Sequence, residues 1–193
     1  LLFVLSDAGY TDTAARLLQS REFPSWGYNV VNGATTVWER WNSYTKEDGF
    51  GDASMNSFSH YAFGAVCQWM FEKLAGIDML RPGFEQIMIK PHIPSPDSNP
   101  GHEPIDWVDA RYDSIQGPIE VSWKRVEGGL DLTVMIPANT EAVVYIPARS
   151  VSQVTEGGTP IAKHPDLTCD GIHDSAVKVQ AGSGTYHFSV RTE

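Results

Sequence analysis

The stretch Arg81-Pro-Gly-Phe-Glu-Gln-Ile-Met-Ile-Lys-Pro91 is where the periodicity of the chain changes. Before it, apolar residues recur at helical spacing; after it, they alternate with polar ones. Pro82-Gly83 is a turn dipeptide, and we place the division of the chain there. The expected fold is α + β in two parts, a helical segment over 1–83 and an antiparallel β-sandwich over 84–193.

Downstream of this point the alternation predicts strands at Phe84–Pro91, Trp107–Tyr112, Ile119–Arg125, Leu130–Ile136, Glu141–Ile146, Val151–Thr155, Ala176–Gln180 and Thr185–Val190. Turn residues separate them at short intervals, with Gly128-Gly129 and Gly157-Gly158 as hairpin dipeptides. The Pro-rich segment His92–Pro104 reads as a surface loop. Trp107 and Trp123 admit two readings, a carbohydrate-binding face or filler of the sandwich interior. The alternation around Trp123 favours the interior.

Upstream, Leu2, Leu5, Tyr10, Ala14, Leu17 and Leu18 predict two helices joined at Ala8-Gly9-Tyr10, with Thr11 or Asp12 as N-cap of the second. Pro24 and Gly27 interrupt any helix over 22–32, and Val30-Val31 suggests a short strand. Residues 43–56 are polar and Gly-rich, a loop. Residues 57–76 carry an apolar stripe of Phe58, Tyr61, Ala62, Ala65, Val66, Trp69, Met70 and Leu74. They predict a helix capped by Asn56, stopped by Gly76 and packed into a core.

Between these lies Gly33-Ala-Thr-Thr-Val-Trp-Glu-Arg-Trp-Asn-Ser43. Glu39 sits between Trp38 and Trp41. Sugar C–H faces pack on aromatic rings while a carboxylate handles protons and hydroxyls, so the pattern suits a sugar pocket. It equally suits an interior strand whose Glu39 is neutralised by Arg40 or Arg21. Whether Thr36–Trp41 is extended or opens a helix is left open by the spacing.

This run, together with Ser57-Phe-Ser-His-Tyr-Ala-Phe-Gly-Ala-Val-Cys-Gln-Trp69, resembles the bacterial α-L-rhamnosidases, family 78 of the glycoside hydrolases. The resemblance extends over nearly the whole chain but only the C-terminal part of such an enzyme. It implies that 1–83 are the last helices of an (α/α)6 catalytic barrel and 84–193 the sandwich that follows. It also implies an inverting hydrolase of terminal α-L-rhamnosides in which Glu39 is the general base. His60, Trp38 and Trp41 would meet the sugar. The family's general acid lies in an upstream acidic motif that nothing in these residues matches. The fragment alone is therefore expected to be inactive, and its helical faces to meet the missing N-terminal part of the same polypeptide or to self-associate.

Composition sets the remaining bounds. The formal charge of −10 argues against nucleic acid and anionic membranes as partners. The opening Leu-Leu-Phe-Val-Leu reads as the middle of a helix cut from a longer protein, not a signal peptide, and leaves the compartment open. Cys67 and Cys169 are expected as free thiols. No Cys/His spacing suggests a metal, no cofactor is implied, and His164, His173 and His187 read as surface residues. Two other readings stand beside the enzyme: a non-catalytic sugar-binding or scaffolding fragment, and a related (α/α)6 glycosidase with another sugar.

Overall fold

In a computed structural model, residues 1–101 and 103–191 are described. They form two compact units, residues 1–70 with 94–104, and residues 71–93 with 105–191.

The first unit is built on short helices: α1 (Leu2–Asp7), α2 (Thr11–Gln19), α3 (Trp26–Val31) and α4 (Ala65–Trp69). The two N-terminal helices are joined at Gly9, whose positive φ of 85° lets the chain reverse. The N-cap of α2 is Tyr10, without a side-chain bond, in place of Thr11 or Asp12. Asp12 instead accepts from the backbone N–H of Ser95 at 2.7 Å. Gln19 Nε2 donates to the Glu103 carbonyl at 2.9 Å. These bonds hold the Pro-rich segment 94–104 to the unit, and its Ser98 and Asn99 are buried, unlike a free surface loop.

Residues 26–31 are helical, which corrects the strand expected at Val30-Val31. Ser25 caps this helix, accepting from the Tyr28 N–H at 2.9 Å and donating to the Ser20 carbonyl at 2.8 Å. Gly27 is required inside it, because a Cβ there would lie 2.2 Å from the Ser20 oxygen. Its residue type reports close backbone approach, not a break.

The helix expected over 57–76 starts later. It opens as a 3₁₀ turn at Tyr61–Gly64, runs as α4, and widens into π-helical turns at Met70–Ala75. Asn56 is not its cap; its amide donates to the Ser43 carbonyl at 3.0 Å. With three hydrogen-bonding patterns the face rotates, so only part of the apolar stripe is buried. Val66, Trp69 and Leu74 are buried, whereas Tyr61 is 89% exposed. Trp69 is anchored by its indole N–H to Ser6 Oγ at 2.9 Å. The expected loop at 43–56 holds a small hairpin, β1 (Tyr44–Thr45) with β2 (Gly49–Phe50).

The second unit is a β-sandwich. Its strands are β3 (Ile77–Arg81), β4 (Gln86–Ile89), β5 (Trp107–Ser114), β6 (Gly117–Val126), β7 (Gly129–Ile136), β8 (Glu141–Ile146), β9 (Val154–Glu156), β10 (Thr159–Pro160), β11 (Leu167–His173), β12 (Ala176–Ala181) and β13 (Gly184–Arg191). One sheet has the order β10-β9-β13-β7-β6-β5, the other β11-β12-β8-β4-β3. The pairing is antiparallel except for β4 with β8. Period-two alternation turns Ile119, Val121 and Trp123 inward from β6, Leu132 and Val134 from β7, and Ile87 and Ile89 from β4 into one core. Trp123 is fully enclosed, and its N–H donates to the Leu74 carbonyl at 2.8 Å. The Gly157-Gly158 turn has both residues at positive φ, as a tight hairpin needs.

The sandwich begins earlier than Pro82-Gly83 suggested, because Ile77–Arg81 pairs with β4 as its first strand. The backbone break is at Gly76, with φ of 80° and a would-be Cβ 2.2 Å from the Pro91 nitrogen. Strand β11 is not among the expected strands; a bulge between Cys169 and Gly171 interrupts its register. His164 is not a surface residue. It pairs with Glu156 at 2.8 Å, both side chains being largely covered. Both cysteines are free.

Candidate functional site

The sequence motif lies in the first unit on backbone that is neither helix nor sheet. Its conformation is held by pairing with residues 57–60. The Glu39 N–H donates to the Ser57 carbonyl at 2.9 Å, and the His60 N–H to the Val37 carbonyl at 2.8 Å. In return the Ser57 N–H donates to Glu39 Oε2 at 2.8 Å. One carboxylate oxygen is thereby fixed by a backbone dipole, and Oε1 has no protein partner among the described residues. Glu39 is half-buried and forms no ion pair among those residues, so the reading of a carboxylate neutralised by Arg40 or Arg21 fails.

The two indoles flanking Glu39 have different surroundings. Trp38 is 5% exposed and meets the edges of Tyr44 and Phe58 at 6.3 and 5.6 Å between ring centroids. Trp41 stacks on Phe63 at 4.2 Å and meets Trp26 edge-on at 5.2 Å. Both pack on neighbouring rings, Trp38 almost wholly covered and Trp41 half-buried. Trp26 also ties the cluster to the 3₁₀ turn, its indole N–H donating to the Phe63 carbonyl at 3.0 Å. The ring of His60 lies parallel to that of Tyr61, 6.0 Å away.

Concave surface is present beside the motif. Trp38 lines two shallow cavities of about 300 and 520 Å³, and Trp41 one of about 270 Å³. Neither Glu39 nor His60 lines these three. The backbone pairing thus brings Glu39 and His60 onto adjacent segments without enclosing them. Asp48 and Asp52, the other acids nearby in sequence, have local structural roles. The Asp48 carboxylate accepts from the Thr45 hydroxyl, and Asp52 caps a 3₁₀ turn. The Ser54 amide and hydroxyl hold the Asp52 carboxyl below its usual range. Among the described residues no group of three His, Cys, Asp or Glu side chains is placed to hold a metal ion, and no helix is long and apolar enough to cross a membrane.

Three supporting residues were not singled out from sequence. Asn29 is buried in α3 and its amide donates to the Trp41 carbonyl. Ser43 is buried; its hydroxyl accepts from the Arg40 N–H and its carbonyl from the Gly51 N–H. Ser57 orients the carboxylate. Only Asn29 left a trace, as a polar residue four positions after the Ser25 cap on a helix the sequence did not announce. Ser57 acts through its backbone, which residue type does not report.

Short helices followed by a two-sheet sandwich define the class as the C-terminal portion of a hairpin-type glycosidase. Residues 1–74 match the bacterial α-L-rhamnosidase six-hairpin glycosidase domain, and residues 76–159 the bacterial α-L-rhamnosidase C-terminal domain. The chain belongs to the bacterial α-L-rhamnosidase family. It is 40% identical over 190 residues to an α-L-rhamnosidase of Streptomyces avermitilis, covering 98% of this chain and 17% of that protein. It is 35% identical over 188 residues to one of Formosa agariphila, covering 97% and 19%. The crystal structure of the Streptomyces avermitilis enzyme complexed with L-rhamnose matches with a TM-score of 0.83 at 40% identity, covering 99% of this chain and 17% of that one. The α-L-rhamnosidase from Dictyoglumus thermophilum matches at 0.79 and 31%, covering 99% and 20%. The chain therefore spans no more than about a fifth of the length of these relatives.

Proposed function

We propose that this chain is the C-terminal part of an inverting α-L-rhamnosidase that hydrolyses terminal α-L-rhamnosides, with Glu39 as general base. The observation that carries this reading is the carboxylate itself. Ser57 fixes one oxygen, no cation neutralises it among the described residues, and the other oxygen is left to accept a proton from water. In an inverting glycosidase the base activates water on the face opposite the leaving group, roughly 6.5–9.5 Å from the acid that protonates the glycosidic oxygen. The base then needs a fixed orientation and an unengaged oxygen, and Glu39 has both. His60, on the paired segment, contacts a sugar hydroxyl. Trp38 and Trp41 offer indole surface to the sugar beside the carboxylate, each lining a neighbouring cavity.

The acid comes from chain outside these 193 residues, consistent with the small share of its relatives that the chain spans. Residues 1–74 act as the closing helices of an (α/α)6 barrel, and the strands from Ile77 onward as its C-terminal sandwich. The isolated chain is inactive, and a longer polypeptide covers its exposed helical faces; without it these faces drive self-association.

The test is turnover of an aryl α-L-rhamnoside by the longer protein. Glu39→Gln lowers kcat by about 10²–10⁴-fold, the usual range for loss of a general base, with unchanged thermal unfolding. His60→Ala acts mainly by raising KM. The first-formed sugar, followed by NMR, is the β-anomer. Near-normal turnover by Glu39→Gln removes the base assignment, a first-formed α-anomer removes inversion, and turnover by the isolated 193-residue chain removes the claim that it lacks the acid.

A further inference from the structure

The two tryptophans that the sequence treated together in the sandwich have opposite fates. Trp123 fills the core, whereas Trp107 is 65% exposed on β5, the edge strand of the six-stranded sheet. An indole exposed to that extent offers a large apolar face with a polar N–H edge to whatever binds there.

Its surroundings indicate what. On the outer face of this sheet the strand register aligns two rows. Trp107 lies opposite Lys124, Lys124 opposite Asp131, and Asp131 opposite Ser189. The next row is Asp109, Ser122, Thr133 and His187. Four strands at about 4.8 Å spacing make each row roughly 14 Å long. A shallow depression of about 440 Å³ lies over these rows, lined by Trp107, Asp109, Ser122, Lys124, Asp131 and Thr133 among others. The far ends of the rows are fixed internally: Ser189 donates to Asp131 at 3.0 Å, Arg191 pairs with Asp131 at 2.9 Å, and Thr133 meets His187 at 3.2 Å. The near ends are not. Among the described residues, Asp109 and Lys124 form no side-chain hydrogen bond or ion pair.

One apolar plate beside a free carboxylate, a free ammonium and two hydroxyls matches a sugar ring, which has an apolar C–H face and a rim of hydroxyls that both donate and accept. Acidic and basic groups balance across the patch, which suits a neutral ligand and disfavours a polyanion. A protein partner would need a wider apolar centre than one indole supplies. We propose that the outer face of β5, β6 and β7 is a non-catalytic binding site for a neutral oligosaccharide. A sugar ring stacks on Trp107, and Asp109, Lys124, Ser122 and Thr133 bond its hydroxyls. This site is separate from the Glu39 motif and does not depend on the role proposed for it.

Calorimetric titration of the 193-residue chain with a rhamnose-capped neutral trisaccharide tests the idea, with amide NMR to locate the site. Expected is binding that Trp107→Ala weakens at least about ten-fold, as for an aromatic anchor. Trp107→Phe retains most of it and Glu39→Gln all of it. Shifts centre on residues 107–109, 122–124 and 131–133. Trp107 is exposed, so the variants keep the unfolding temperature, and Trp107→Phe controls for any that do not. No binding by the unsubstituted chain, equal binding by Trp107→Ala, or shifts confined to residues 37–60 would each overturn the proposal; the first outcome would make this face a protein-packing surface. Loss of binding in Glu39→Gln with retention in Trp107→Ala would leave the Glu39 reading standing and remove this one.

Discussion

The two units solve the problem of burial differently. In the sandwich, inward side chains from two sheets share one core, and the indole N–H of Trp123 is satisfied inside it. In the helical unit, no α-helix among the described residues is longer than nine residues, and Val4, Val30 and Tyr61 are 69%, 65% and 89% exposed. Helices this short owe their stability to packing more than to propensity. The helical unit is instead tied by polar links: Trp69 to Ser6, Trp26 to Phe63, Asn29 to Trp41 and Gln19 to Glu103. The difference separates a self-sufficient module from one whose apolar surface is only partly used, and the candidate acid sits on the latter. A site carried by the less complete unit is one whose geometry depends on what packs around it.

This contrast can be broken by experiment. The largest effect is expected from Trp123→Ala, which should cost about 3–5 kcal/mol, the usual loss for a buried aromatic. It should lower the denaturant midpoint of the sandwich transition; a change below about 1 kcal/mol would mean that the core is looser than its packing implies. Next, amide hydrogen exchange should be slowest in β6, β7 and β13 and faster by orders of magnitude in α1 and α3, whose exposed faces allow local opening. Equal protection would remove the distinction between the units. Gly27→Ala should destabilise the helical unit by roughly 1–3 kcal/mol, because the added methyl meets the Ser20 carbonyl. It should leave the sandwich transition in place.

The smallest effect concerns acid. Hydrogen bonds from Gln180 and Lys178 hold the Asp170 carboxyl below its ordinary value of 3.8. The carboxylate is thus ionised in the folded state under conditions where the unfolded chain takes up a proton. Its contribution to stability is present above about 3.8 and disappears as the pH falls through the lower folded value. Asp170→Asn should flatten the acid limb of the sandwich's stability curve slightly, measured as the unfolding midpoint against pH.

How much could be read in advance follows the same division. Eight strands were anticipated near their observed places because period-two alternation is written directly into residue type. The two longer strands missed are Ile77–Arg81, which the division at Pro82-Gly83 assigned to the helical part, and Leu167–His173, whose register a bulge interrupts. In the helical unit, Gly27 reads as a breaker by residue type and yet sits inside a helix. The long helix after residue 57 was expected as one regular element but changes its hydrogen-bonding pattern twice. The candidate site was legible as residues and not as geometry: the motif named Glu39, Trp38, Trp41 and His60, while Ser57, Ser43 and Asn29 hold them in place.

Sequence alone determined the two-part α + β character, the strand alternation that divides core from surface, and the acid set between two indoles. It did so because each of these is carried by residue type at fixed local spacing. Tertiary structure decided where the units divide, that Trp38 is buried among rings while Trp41 stays half-buried, and that the Ser57 backbone and no arginine holds the carboxylate. It also left Trp107 exposed on the edge strand, beside Trp123, whose inward turn the alternation already indicates. These outcomes depend on which distant backbone groups meet, and hydrogen bonds from main-chain N–H and C=O leave no signature in side-chain identity.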